Sequence, residues 1–163
     1  CEAVKANLRE DRTTKVVELY AGSGNITVAL AALDVDLVAV ESVREACDAA
    51  RRNLLHRNAN ARARVIEARA EDYALPAATD IVVLDPPRTG AREFATRCVR
   101  SGPKRIVYVS CDPATLGRDL AALESAYEAT SVATFEMFPQ TSHVETVVVL
   151  DRIRGGRSKG RAP

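Results

Sequence analysis

The chain has 163 residues, enough for one compact domain and too few for two ordinary ones. Hydrophobic residues make up 47% and charged residues 28%, which excludes an intrinsically disordered protein. The formal charge is only +1, so the charge total does not announce a polyanion binder, and no apolar run approaches the roughly 18 residues of a membrane helix.

The first residues, Cys1 to Lys5, hold neither a Met start nor an apolar signal core, so the sequence reads as a piece of a longer protein or a processed one. Val4 and Leu8 mark this start as an amphipathic helix. Short apolar runs follow at Lys15–Tyr20, Asp36–Glu41, Arg64–Ala68, Asp80–Asp85, Arg105–Ser110, Thr130–Phe138 and Val144–Asp151. They are rich in Val and Ile and nearly continuous in apolarity, as strands buried on both faces of a parallel sheet are. Helical patterns separate most of them, at Ile26–Leu33, Val43–Arg57, Arg92–Arg100 and Pro113–Tyr127. This rhythm predicts an α/β, doubly wound sheet. The last two runs are joined only by Pro139–His143, which predicts an antiparallel pair at one edge.

After Asp151 the chain carries Arg152, Arg154, Arg157, Lys159 and Arg161 with no acid among them. Such a tail either touches phosphates or is a solvated, Gly-rich end. The four cysteines form no C-x-x-C pair and suggest neither a zinc site nor a disulfide frame, so a reducing, cytoplasmic setting is expected.

Three places carry chemistry. The first strand runs into Tyr20-Ala21-Gly22-Ser23-Gly24-Asn25, a Gly-x-Gly turn before a helix, and the second strand ends in Glu41. Glycine lets a backbone approach a ligand, and a carboxylate at the tip of the second strand can accept both hydroxyls of a ribose. Thr27 stands where a dinucleotide fingerprint has its third glycine, which favours a nucleoside without a pyrophosphate, such as S-adenosylmethionine, over NAD. At the fourth strand, Asp85-Pro86-Pro87-Arg88 forms a stiff loop that places Asp85 beside the cofactor and Arg88 over the cleft. Amino-methyltransferases have an aromatic after Asp-Pro-Pro; Arg88 in its place argues against an exocyclic nitrogen target. The fifth strand ends in Ser110-Cys111-Asp112-Pro113, where the following helix favours a thiolate at Cys111 and Asp112 opposes it. Cys47 and Cys98 fall inside helical patterns and read as small buried hydrophobes.

With ELYAGSGNIT, VAVE, AARRNLLHRN, VVLDPPRTG, YVSCDPATLGRDL and MFPQTSHVE, residues 18–145 resemble the catalytic domain of the RNA 5-methyluridine (uracil-C5) methyltransferases, the TrmA-like family. The resemblance implies a class I, Rossmann-like methyltransferase fold: a mostly parallel seven-stranded sheet with an antiparallel edge pair. It implies S-adenosyl-L-methionine as cofactor and methylation of carbon 5 of a uridine in tRNA or rRNA. By motif position Tyr20, Asn25, Glu41 and Asp85 contact the cofactor, joined by Gly22 and Gly24 of the turn. Cys111 matches the nucleophile and Glu145 the base, while Arg88 and Gln140 lie near the target base. Asp112 stands where the family usually has Asn, and Glu136 where Asp is usual. Family members usually carry an upstream segment with a cofactor-contacting Gln and often an RNA-binding barrel. The expected organisation is therefore a catalytic domain over 1–151, as a fragment without that upstream part, and a basic flexible tail over 152–163. The expected partner is RNA, with no metal, no membrane and no obligate protein partner. A cofactor-binding module without activity and an NAD-linked oxidoreductase are the alternatives.

Overall fold

The structure is a computed structural model and describes residues 2–6, 14–59, 61–136 and 144–153. Its elements in chain order are α1 (Glu2–Lys5), β1 (Lys15–Leu19), α2 (Asn25–Ala31), β2 (Asp36–Glu41), α3 (Arg44–His56) and β3 (Ala63–Glu67). They continue with β4 (Ile81–Leu84), α4 (Arg92–Arg100), β5 (Arg105–Ser110), α5 (Pro113–Leu123), β6 (Tyr127–Glu136) and β7 (Val144–Arg152). The strands form one seven-stranded sheet in the order β3-β2-β1-β4-β5-β7-β6. Pairs among β1 to β5 are parallel, whereas β7 runs antiparallel to both β5 and β6.

Side-chain alternation along the strands divides the core into two layers. Val17, Leu19, Val82, Leu84, Ile106 and Tyr108 face α4 and α5, packing with Phe94, Ala95, Cys98, Leu116 and Leu123. The residues between them, Val16, Ile81, Val83, Val107 and Val109, face the other way and pack with Leu30 of α2 and Val4 of α1. Because both faces are covered, β1 and β4 are apolar almost without interruption, as expected for parallel strands. Complete burial of each such Leu or Val contributes about 1.5–3 kcal/mol.

The described residues differ from the sequence expectation mainly after α5. The helical pattern predicts a helix to Tyr127, but α5 ends at Leu123 and β6 begins at Tyr127. The Ala126 N–H bonds to the Leu123 carbonyl and closes a turn. Tyr127 is then buried, with its hydroxyl donating to the Pro103 carbonyl at 2.8 Å, and enters the ladder opposite Arg152. Helical periodicity continues past the turn; the β7 edge captures the chain instead. The link 139–143, Leu8 and the tail from Arg154 onward lie outside the described residues. Among the described residues no helix is long and apolar enough to cross a membrane.

Candidate active site

Strand order reverses between β1 and β4, which opens a crevice at the carboxyl ends of the parallel strands. The loops beginning at Tyr20, Glu41, Asp85 and Cys111 all leave the sheet at this edge. The antiparallel β7 starts at the same edge.

The glycine turn and Glu41 form a prearranged cradle. The Glu41 carboxylate accepts the Gly22 N–H at 2.9 Å, the Ser42 N–H at 2.7 Å and the Val43 N–H at 2.8 Å. The Ser42 hydroxyl also donates to Oε1 at 3.3 Å, so Oε1 is filled and the remaining acceptor capacity lies on Oε2, which among the described residues takes only the Gly22 N–H. Gly22 has φ +54 and a Cβ there would meet nothing within 4 Å, so open space lies over the turn. Gly24 serves a different contact: at φ +87 its missing Cβ would lie 2.9 Å from the Ala50 Cβ, so it lets α2 and α3 close together. Tyr20, at φ +62, donates its hydroxyl to Glu71 at 2.9 Å, beyond the end of β3. Burial, then this bond, hold the Tyr20 phenol protonated well above the usual range. Asn25 opens α2.

A row of acids crosses the crevice on one face of the sheet. Glu18 alternates with Val16, and Asp85 follows Val83, on the face that α2 covers. Glu18 is 2% exposed and its Oε2 has no hydrogen-bond partner; neither has the buried Thr27 hydroxyl beside it. Burial raises the Glu18 carboxyl to about 8, with the charge of Asp85 adding to the rise and Thr27 offsetting part of it. Asp85 as a residue is open to solvent, yet the protein around its carboxyl, and then the charge of Glu145, raise it to about 6.

Strand register brings Cys111 and Glu145 to the same edge of the sheet. Ser110 and Thr146 form the last pair of the antiparallel β5–β7 ladder; Cys111 follows Ser110 in the chain and Glu145 precedes Thr146. Glu145 lies two residues from Val147, on the face that carries Asp85, and its charge reaches Asp85. Cys111 is a free, partly buried thiol just before α5, whereas Cys47 and Cys98 are fully buried. Asp112 caps α5, accepting the Thr115 N–H at 2.8 Å. Its carboxyl is held below the usual range by the Thr115 amide, then the Thr115 hydroxyl, with a smaller contribution from the nearby Arg88 charge. Arg88 is thus within electrostatic reach of Asp112, the cap of α5.

A family model described as tRNA (Uracil-5-)-methyltransferase matches residues 69–153. The chain belongs to this family. A methyltransferase small-domain model also matches residues 2–106. An uncharacterized RNA methyltransferase of Thermotoga maritima is 42% identical over 148 residues, 87% of this chain and 33% of the relative. The 23S rRNA (uracil(1939)-C(5))-methyltransferase RlmD of Alkalilimnicola ehrlichii is 40% identical over 85% of this chain and 32% of its own length. Among solved structures, the tRNA (uracil-54, C5)-methyltransferase of Pyrococcus abyssi in complex with S-adenosyl-L-homocysteine superposes with a TM-score of 0.82. It is 31% identical, covering 91% of this chain and 36% of that one. The chain therefore spans about a third of the length of the relatives it matches.

Of the residues expected from the family motifs, Tyr20, Gly22, Gly24, Asn25, Glu41, Asp85, Arg88, Cys111 and Glu145 all fall at this one edge of the sheet. Gln140 lies outside the described residues. Sequence reasoning passed over Glu18, Glu71 and Asp119. Two of them carried a signal: Glu18 is an acid inside an otherwise apolar strand, and Asp119 sits between Leu116 and Leu123 on the buried stripe of α5. A groove of about 480 Å³ lies at the opposite edge, lined by Arg97, Gly102, Pro103 and Arg152 among others. Its guanidinium groups bind the Ala70, Glu71, Cys98 and Val99 carbonyls, so they tie α4 to its neighbours.

Proposed function

We propose that this chain is the cofactor-binding and catalytic unit of an S-adenosyl-L-methionine-dependent RNA uracil-C5 methyltransferase, with tRNA or rRNA as substrate. The observation that supports this reading is the β5–β7 register: Cys111, a free thiol, directly follows Ser110, and Glu145 directly precedes its ladder partner Thr146, at one edge of the sheet. Carbon 5 of uracil is a weak nucleophile, and its neighbour carbon 6 accepts a thiolate. Two functional groups must therefore reach adjacent ring atoms, as Cys111 and Glu145 can.

The residues at hand fit the cofactor. Glu41 is oriented for a ribose, the space over Gly22 admits a backbone-hugging ligand, and the unpartnered Glu18 and Thr27 oxygens lie below the turn. When bound, the cofactor supplies an electrophilic methyl group on a sulfonium. In this reading the Cys111 thiolate adds to carbon 6, forming a C–S bond and moving the ring electron pair to carbon 5 and the O4 enolate. Carbon 5 would take the methyl group as the bond from that group to the sulfonium sulfur breaks, the electron pair staying on sulfur to leave the neutral thioether S-adenosylhomocysteine. Glu145 then accepts the hydrogen on carbon 5 as a proton, the C5–C6 double bond reforms, and the C–S bond breaks to release the thiolate. Arg88 holds the target base or its phosphate, and Gln140 acts near the same base. Reaching both ring carbons requires an unstacked uridine, from a single-stranded loop or by flipping.

The test is a denaturing gel after mixing protein, S-adenosylmethionine and RNA containing 5-fluorouridine. Fluorine at carbon 5 cannot leave as a proton, so the C–S bond persists and a shifted band is expected. Cys111→Ala should remove the band while keeping affinity for S-adenosylhomocysteine. A band that survives in Cys111→Ala refutes the covalent route. The short span relative to its relatives favours a second reading, a cofactor-binding unit that completes the reaction only with further sequence. Saturable cofactor binding with no adduct in the wild-type chain would select it.

A further inference from the structure

Asp119 is 0% exposed, yet its carboxylate is well supplied with hydrogen-bond donors. Its carboxylate accepts the Ala91 N–H at 2.6 Å and the Tyr108 hydroxyl at 2.8 Å. Arg118 donates to it from Nε at 3.0 Å and from Nη2 at 2.8 Å. The same Nη2 donates to the Thr89 carbonyl at 2.8 Å. Between these two anchors lies Gly90, at φ +75; a Cβ there would sit 2.5 Å from Asp119 Oδ2 and 2.6 Å from Arg118 Nη2. The loop is thus pressed onto the carboxylate at a closeness that only glycine permits.

The connections run between the two loops that carry the chemistry. Ala91 and Thr89 end the loop that begins at Asp85 and holds Arg88. Tyr108 lies on β5 three residues before Cys111, and α5 starts just after it. Asp119 also stands at the amino end of α4, where a negative charge is favoured by the helix dipole. It reaches neither the crevice nor Cys111 itself.

We infer that Asp119, with Arg118, is a positioning residue that holds the Asp85–Arg88 loop in register with Cys111. The inference rests on the proposed roles of Cys111 and Arg88. A carboxylate with four donors fixes geometry in a way an apolar residue of the same volume cannot, because each donor sets a direction. A small misplacement of reacting groups is costly: a shift of about 1 Å can lower a rate about a hundredfold.

The test uses Asp119→Asn, Arg118→Ala and Arg118→Lys in the same chain. The readouts are the rate of adduct formation at saturating 5-fluorouridine RNA, S-adenosylhomocysteine affinity by calorimetry, and amide hydrogen exchange over residues 88–91. Asp119→Asn should slow the adduct by about tenfold to a hundredfold and Arg118→Ala by about tenfold. Cofactor affinity should stay unchanged, exchange at Ala91 should rise in Asp119→Asn, and Arg118→Lys should restore part of the rate. A merely structural role would lower cofactor affinity and melting temperature together, or leave the adduct rate untouched; either overturns the inference. If Asp119→Asn does not fold, Arg118→Ala decides: its side chain is 40% exposed and its loss leaves the Ala91 and Tyr108 bonds in place. A wild-type chain that binds S-adenosylhomocysteine but forms no adduct would select the cofactor-binding unit instead, and exchange at Ala91 that does not rise in Asp119→Asn would then overturn this inference.

Discussion

Replacing Glu18 by Gln should change how stability depends on pH. The ordinary glutamate value is 4.5, and burial, with help from Asp85, raises Glu18 to about 8 in the folded chain. Between about pH 4.5 and 8 the folded chain therefore holds a proton that the unfolded chain releases. Stability falls as pH rises through that window, and this group is least costly below its lower bound. Each pH unit of the window corresponds to about 1.4 kcal/mol, so the fully developed penalty is at most about 5 kcal/mol. A Gln keeps the shape and carries no charge, so relative to wild type its stability should be constant below about pH 4 and should rise increasingly from about pH 5 toward pH 8. Urea denaturation of both proteins across this range measures the difference directly. A stability difference that stays constant with pH would mean that Glu18 does not hold its proton, and the argument from burial would fail.

Two further outcomes follow from the cradle. Gly24→Ala should cost about 2–3 kcal/mol, because it forces a Cβ against Ala50 and strains a left-handed backbone position. Adding Ala50→Gly should recover only the steric part, a comparison that denaturation midpoints can make. Glu41→Ala should weaken S-adenosylhomocysteine binding about tenfold or more, since the Gly22, Ser42 and Val43 amides lose their common acceptor. Calorimetry reads this, and an unchanged affinity would remove Glu41 from the site.

The amino-acid sequence by itself determined the class of fold. Val- and Ile-rich runs at β1, β2, β4 and β5 are buried on both faces, so their apolarity is continuous and visible without coordinates. Tight turns and strand tips also announce themselves, because Gly22, Pro86 and Pro87 are local choices dictated by local backbone. Element ends were less legible. At Leu123 the helix stops where a distant strand, β7, supplies the hydrogen bonds for β6.

Only the tertiary structure decided which distant side chains meet. Cys111 and Glu145 come to the same edge of the sheet because Ser110 pairs with Thr146, a register that no local pattern encodes. Gly24 turned out to answer to Ala50 on another helix, through a close approach that a one-dimensional reading cannot see. Glu18 and Asp119 are both buried acids, yet one lacks a partner for Oε2 and the other accepts four hydrogen bonds. Their sequence signal is the same, an acid on an apolar face. What separates them is the set of donors brought to each carboxylate by elements far away in the chain, and that is a property of packing.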